Sequence, residues 1–418
     1  MKKLVAVLLV LCMTAALVAC GSSSSSSSDS ATSGNAAASS DAKIGVVLVG
    51  DENEGYTAAH INGIKAAASK LGISDDQILW KYSVPEDSTC YDSIVDLYSQ
   101  GCKLILTNSY GHQSFAQQAA SELTDATIVS LTGDTAATSG LSNFKNAFTG
   151  VYQSRYVSGV VAGMKIAELV ENGELSDDNY DADGNVKVGY VGAYPYAEVV
   201  SGYTAFFLGI QSVYENVSME VTYTNSWFDI TAEGTAAEKL MADGCVIIGQ
   251  HADSTGAPAA IQAAHEAGTV AYSVGYNVDM TDVAPDVALT SATNNWEVYY
   301  EYAFNAYLNG EDIVTNWSEG YETGAVAITD LGSAAAEGTQ EKVDEVIAAI
   351  KDGSLKVFAT DTFTVDGENL DSYMANVEPD EAYEGDTEAI SDGYFHESEY
   401  RSAPYFEIRI DGITELTE

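Results

Sequence analysis

Residues 44–49, Ile-Gly-Val-Val-Leu-Val, form an unbroken apolar run, the pattern of a strand buried on both faces. A short polar loop follows, and over 56–71 the apolar positions then recur at helical spacing. The same alternation predicts strands at 78–82, 103–107 and 127–131, with helices at 91–99 and 113–123. A long amphipathic helix at 152–170 closes this first block. A second block reads strands at 186–191, 219–224, 245–249 and 270–274, with helices at 198–214, 232–242 and 257–267. Strands alternating with helices at this spacing build βαβ units, parallel sheets and right-handed crossovers. Two such blocks predict an α/β protein of two doubly wound parallel-sheet lobes. Beyond residue 330 the pattern thins to a helix at 341–350, a strand at 356–360 and a tail with an apolar stretch at 406–410. That tail is expected to be a lobe-spanning cap or an extra hairpin.

The N-terminus has a different pattern. Lys2 and Lys3 precede an apolar run over 5–18, and Leu17-Val18-Ala19-Cys20 follows as a lipobox, so residues 1–19 read as a lipoprotein signal peptide. The run is shorter than the ~20 residues needed to cross a bilayer. The mature chain is therefore expected to start at a diacylated Cys20. Residues 20–42 are mostly Ser, Ala, Gly and Asp, including seven consecutive serines, a composition that behaves as a flexible tether. The expected location is the extracytoplasmic face of the cell membrane, held there by lipid.

Charge narrows the partners. Against 17 Lys+Arg stand 62 Asp+Glu, a formal net charge of −45, which excludes a nucleic-acid backbone as partner. With 46% apolar residues and only 19% charged, the chain is nonetheless a folding one. Catalytic patterns are missing: there is no GxSxG, no HExxH and no GxxxxGK phosphate loop. Cys90, Cys102 and Cys245 lack CxxC spacing, which argues against zinc or redox chemistry. A Cys90–Cys102 disulfide is permitted by export, although both positions also read as buried small apolar sites. His251 with Asp253 has the look of a ligand pair, yet alternate residues at a strand end more often make hydrogen bonds. Asp181 and Asp183 imitate a calcium loop, but its twelfth position is Tyr190 rather than Glu, and a tight polar turn explains them better. No catalytic residue, metal or cofactor is expected.

Ligands of open α/β sheets bind at the carboxyl ends of the strands. The loops there are rich in rings and amides: Tyr56, Tyr110, Tyr194, Tyr196, Trp227, Phe228, Gln250, Tyr276 and Asn277. Such a set suits a flat, neutral, hydrogen-bonding heterocycle.

At these loops the chain resembles the basic membrane protein (BMP) family of substrate-binding lipoproteins. The likeness rests on Gly55-Tyr56-Thr-Ala-Ala-His60, Ser109-Tyr110-Gly111, Trp227-Phe228-Asp229, Gln250-His251-Ala-Asp253-Ser254-Thr255 and Gly275-Tyr-Asn277-Val-Asp279-Met280, continuing through Asn294-Asn295-Trp296 and 353–358. The resemblance implies a type I periplasmic-binding-protein fold with a ligand cleft between the lobes. On that plan lobe 1 takes 43–155 and 276–303, lobe 2 takes 156–275 and 304–365, and 366–418 is a C-terminal extension. It further implies a monomeric receptor of an ABC importer that captures a purine by aromatic sandwich and lobe closure, then hands it to permease subunits. Tyr56 and Trp227 match the two sandwiching rings, and Asp279 an acidic loop position. Tyr110, Glu198, Gln250, Asp253 and Trp296 complete the expected ligand-binding set with Asn277 and Asn294. The last two stand where nucleoside binders of the family carry an Asp and a Lys for the ribose. Their replacement by amides favours a free nucleobase over a nucleoside. Two other functions fit the same fold: a sensory ectodomain reporting to a membrane signalling protein, and an enzyme of the nucleoside hydrolase kind.

Overall fold

The computed structural model describes residues 42–379 and 384–416; the signal peptide, Cys20 and the tether up to residue 41 lie outside them. Nearly every predicted strand and helix of the two blocks is present. The first block forms β1 (Ile44–Val47), β2 (Ile78–Lys81), β3 (Leu104–Thr107), β4 (Thr127–Leu131) and β5 (Phe144–Ala147), with α1 (Gly55–Leu71), α2 (Ser88–Ser99) and α3 (Gln113–Glu122) between them. The second runs α4 (Val151–Asn172), β6 (Val186–Gly192), α5 (Ala197–Gln211), β7 (Val217–Tyr223), α6 (Ile230–Ala242), β8 (Ile247–Gln250), α7 (Gly256–Glu266), β9 (Tyr272–Tyr276) and β10 (Ala288–Asn294). After it come α8 (Trp296–Asn309), β11 (Asn316–Trp317), β12 (Val326–Ile328) and α9 (Thr339–Lys351). The C-terminal part adds β13 (Met374–Ala375), β14 (Thr387–Glu388), β15 (Ile390–Ser391), β16 (Tyr394–Phe395) and β17 (Ile413–Glu415).

Two sheets result. The first has the order β11-β5-β4-β3-β1-β2 and is parallel throughout. The second has the order β12-β10-β9-β8-β6-β7-β17, with only β12 antiparallel. Central strands such as β1, β3 and β8 are buried at every residue, as expected where helices cover both faces.

Strand pairing divides the chain differently from the expected partition. Strand β10 belongs to the second sheet, although 276–303 was expected in lobe 1. Strand β11 pairs with β5 of the first, although 304–365 was expected in lobe 2. Helix α4 packs on α5, and Arg155 near its start donates to Gln250 O at the end of β8, so this helix goes with the second lobe. Gly159 and Gly209 permit that contact: a Cβ on either would lie 2.0 Å from a carbonyl oxygen of the facing helix. Three backbone crossings join the lobes, at 148–150, at 295 and between β11 and β12. They are tied by Phe148 N to Trp317 O at 3.0 Å, Gly150 N to Glu319 O at 2.8 Å and Asn295 N to Ala325 O at 2.8 Å.

The tail has two roles. Residues 356–360 form a turn with one bridge, Ala359 to Tyr394, rather than a strand. Tyr405, Phe406, Ile408 and Ile410 alternate with exposed Glu407 and Arg409 and enter the core of the second lobe. β17 then extends that lobe's sheet. The segment also reaches the first lobe, where Ser402 Oγ donates to Asn316 Oδ1 at 3.3 Å and Arg401 stands 3.8 Å from Asp134. Cys90, Cys102 and Cys245 are all free and buried, so the permitted Cys90–Cys102 disulfide is not formed; burial pushes the Cys90 thiol up to about 12 and Cys102 to about 11.

Candidate functional site

Carboxyl ends of both sheets converge on one cavity of about 340 Å³. The first lobe lines it with the loops after β1, β2, β3 and β4, and the second with those after β6, β7 and β8 and with Tyr276 at the end of β9. Each functional side chain is set by the way its loop meets a helix.

Glu54 is the N-cap of α1, accepting from Tyr56 N and Thr57 N at 3.0 and 3.1 Å, which satisfies amides that have no partner in the helix. Tyr56 is thereby held in the first turn, and its hydroxyl donates to Asn108 O at 2.6 Å. Asn108 in turn accepts from Val49 N at 2.8 Å, so one residue at the end of β3 fixes the end of β1 and the start of α1. Behind Tyr56 lie His60 and Trp296, their rings stacked with centroids 4.3 Å apart.

On the opposite wall Trp227 sits in the loop before α6, with its carbonyl accepting from Asp253 N at 2.8 Å. Asp229 caps α6, and the fully buried Glu233 reaches back to Asp229 N and to Ser254 N. Trp227, His251 and Tyr276 make a continuous aromatic face, with centroids 6.5 and 5.2 Å apart. His251 Nε2 lies 2.9 Å from Glu198 Oε1. A carboxylate only accepts, so that nitrogen carries the proton. Burial, reinforced by Arg155, lowers the His251 pKa and keeps the ring neutral. Arg155 is buried behind Tyr276, 3.7 Å from the ring centroid, and donates to Gln250 O at 2.6 Å. It braces this wall from behind and is not on the cavity surface.

Of the ten side chains expected to bind ligand, five line the cavity: Tyr56, Tyr110, Glu198, Trp227 and Asp253. Tyr110 is at the mouth, 42% exposed, with its ring 6.1 Å from Tyr196 of the other lobe. The other five lie elsewhere. Gln250 points back into its own loop, donating to Ala252 O and Ser254 O. Asp279 is exposed and accepts from Thr281 N, capping a turn. Trp296, 1% exposed, belongs to the first lobe's core.

Asn277 and Asn294 form a buried chain. Thr149 Oγ1 donates to Asn294 Oδ1 at 2.5 Å, Asn294 Nδ2 to Asn277 Oδ1 at 2.9 Å, and Asn277 Nδ2 to Asp253 Oδ1 at 2.8 Å. Asn277 has φ +61°, which asparagine tolerates better than most side chains. These amides hold Asp253 from behind, so they carry no argument for base over nucleoside. The expected ligand set left out Asn108, Thr132, His251 and Tyr276, which also line the cavity, although Tyr276 stands among the rings read at the strand ends. Position alone could have found them, since each stands within a few residues of a strand's carboxyl end.

A fold of two doubly wound lobes closed over a polar-edged aromatic cavity is that of the solute-binding proteins of ABC transporters. Solved structures support this: one such protein from Aeropyrum pernix superposes with TM-score 0.62 at 16% identity, covering 78% of this chain and 94% of that one. Another from Conexibacter woesei gives 0.58 at 18% identity, covering 75% and 98%. Residues 42–357 match the family model of Bmp, PnrA-like ABC transporter substrate-binding proteins, and the chain belongs to that family. A purine-binding protein of Brucella abortus is 32% identical over 322 residues, 77% of this chain and 84% of its own length. A shorter match, 31% over 110 residues, is to basic membrane protein A2 of Borrelia garinii, covering 26% of this chain and 32% of that one. The protein is thus a transporter receptor and not an enzyme. Substrate-binding proteins of this class work outside the cytoplasm and deliver ligand to permease subunits. Among the described residues no helix is long and apolar enough to cross a membrane.

Proposed function

We propose that this protein is a monomeric, lipid-anchored receptor that captures a purine, as nucleobase or nucleoside, between its lobes and delivers it to an ABC permease. The observation that carries the reading is the pair of rings, Tyr56 from one lobe and Trp227 from the other, on a single cavity of purine-accepting size. The purine-binding relative supports it. Stacking contributes about 0.5–1.5 kcal/mol per ring pair beyond burial, and the rings come together on one ligand only when the lobes close. Occupancy therefore shifts the population toward the closed form.

The direct test is mass spectrometry of the ligand released on denaturing the purified protein, followed by calorimetry of the stripped protein with adenine, guanine, adenosine and guanosine. Saturable binding of at least one is expected, and binding of none overturns the reading. The anchor is tested separately. Cys20→Ser should give a protein that binds ligand but no longer partitions with membranes. Retention after a high-salt wash would exclude the lipid.

A further inference from the structure

The cavity's charge is one-sided. Asp51, Glu54, Glu198 and Asp253 line it, and none of its lining residues is Lys or Arg. Two of these carboxylates are already engaged locally: Glu54 caps α1 with both oxygens, and Asp51 accepts from the side chain and backbone of Asn53. Asp51 does so through Oδ1 alone, and the other two likewise each keep one oxygen without a partner among the described residues. Glu198 Oε1 is taken by His251 and Oε2 is open. Asp253 Oδ1 is taken by Asn277 and Oδ2 is open, on a side chain that is only 7% exposed. Both residues line the cavity, so a ligand donor held there can pair with these oxygens.

The buried chain fixes how Asp253 is held. Thr149, Asn294 and Asn277 each donate toward Asp253, so the amide facing the carboxyl is an N–H₂ and Asp253 is oriented as an acceptor. The nearby cation, Arg155, lies behind the Tyr276 ring and offers the ligand no contact.

Resting on the purine reading, we propose that the cleft selects neutral or cationic purines that present N–H donors to Asp253 and Glu198, and rejects anionic purines such as urate and the nucleoside monophosphates. A ligand oxyanion would face a lining that carries four acidic side chains and no Lys or Arg, and an acceptor set against an acceptor leaves both unpaired. An exocyclic amino group or ring N–H can donate to the same oxygens. Aromatic stacking cannot make this distinction, since every purine has the same flat face.

Calorimetry with adenine and urate, equal in ring system and opposite in edge and charge, tests it on the full chain. Wild type is expected to prefer adenine by at least a hundredfold. Asp253→Asn puts an N–H₂ donor at the cavity-facing position while leaving an oxygen for Asn277. It should weaken adenine at least tenfold and narrow the adenine-to-urate ratio at least tenfold. Glu198→Gln, which can still accept from His251, should narrow the ratio in the same direction and serves if the first variant does not fold. Adenine binding with urate within threefold in wild type overturns the charge selection and leaves the purine reading intact. So does an unchanged ratio in a folded Asp253→Asn. Failure of adenine, guanine and their nucleosides alike overturns the purine reading, and this inference with it.

Discussion

The two lobes reach the cleft with the same architecture and opposite chemistry. In each, parallel strands end in loops that lead into helices, and an aromatic ring is placed at the mouth of the cavity. Behind Tyr56 the first lobe is an aromatic stack, with His60 against Trp296 and hydrogen-bonded to Tyr300 at 2.6 Å. Behind Tyr276 the second lobe collects ionisable groups: Arg155 under the ring, Glu198 on His251, Asp253 on its amide chain and Glu233 on the amides of Asp229 and Ser254. Both lobes bring polar groups to the cavity, Asp51, Glu54 and Asn108 from the first and Glu198 and Asp253 from the second, while the second supplies most of the rings. A duplicated fold leaves its sites free to diverge, because strand ends position loops whatever residues the loops carry.

That contrast can be broken most directly at the two tryptophans. Trp296→Ala should destabilise the protein by about 3–5 kcal/mol, the loss for a large core aromatic, measured by denaturant unfolding, while the folded fraction binds as wild type. Reduced affinity at unchanged stability would instead move Trp296 into the site. Trp227→Ala should do the reverse, weakening purine binding by about 2–4 kcal/mol through lost burial and stacking and changing the unfolding free energy little. If calorimetry shows no loss, Trp227 is not a wall of the occupied cleft.

Acid should separate the lobes next. Burial lowers the pKa of His60, His112 and His251, and two of the three are in the first lobe. The unfolded chain then binds protons that the folded one does not. Stability is thus fully present above the ordinary histidine value of ~6.5 and falls below it, by up to about 1.4 kcal/mol per pH unit for each histidine. Buried carboxyls counter this, mostly in the second lobe: burial raises the pKa of Asp253, Glu233 and Glu397 there, and of Glu54 in the first. Protonating those groups favours the folded state as pH drops through their raised values. Hydrogen exchange from pH 7 to 5 should show β1 and β3 losing protection before β6 and β8. Equal loss would show that the lobes unfold as one unit.

The smallest effect sharpens the role of Tyr56. Tyr56→Phe removes the bond to Asn108 O but leaves the ring, so the expected cost is about 0.5–1.5 kcal/mol, seen in stability more than in purine affinity. A large loss of affinity would mean that the hydroxyl itself touches ligand.

Period and composition determine the strands, the helices and the parallel character of the sheets, because burial on two faces demands continuous apolar runs and crossover helices demand a 3.6 period. Strand ends also follow from it, which is why Tyr56, Tyr110, Glu198, Trp227 and Asp253 could be assigned to one site. Partition of the chain between lobes could not be read this way. Whether residues 288–294 pair with β9 or cross over is a long-range choice between two sheets that would each accept an apolar strand, and only the packed structure makes it. The same holds for direction at a loop: Asn277 and Asp279 are two residues apart, yet one is buried against Asp253 and the other caps an exposed turn. A residue's type states what it can bond to. The fold decides whether that partner is a ligand, a neighbouring amide or water, because the backbone's φ and the packing behind it set where the side chain goes.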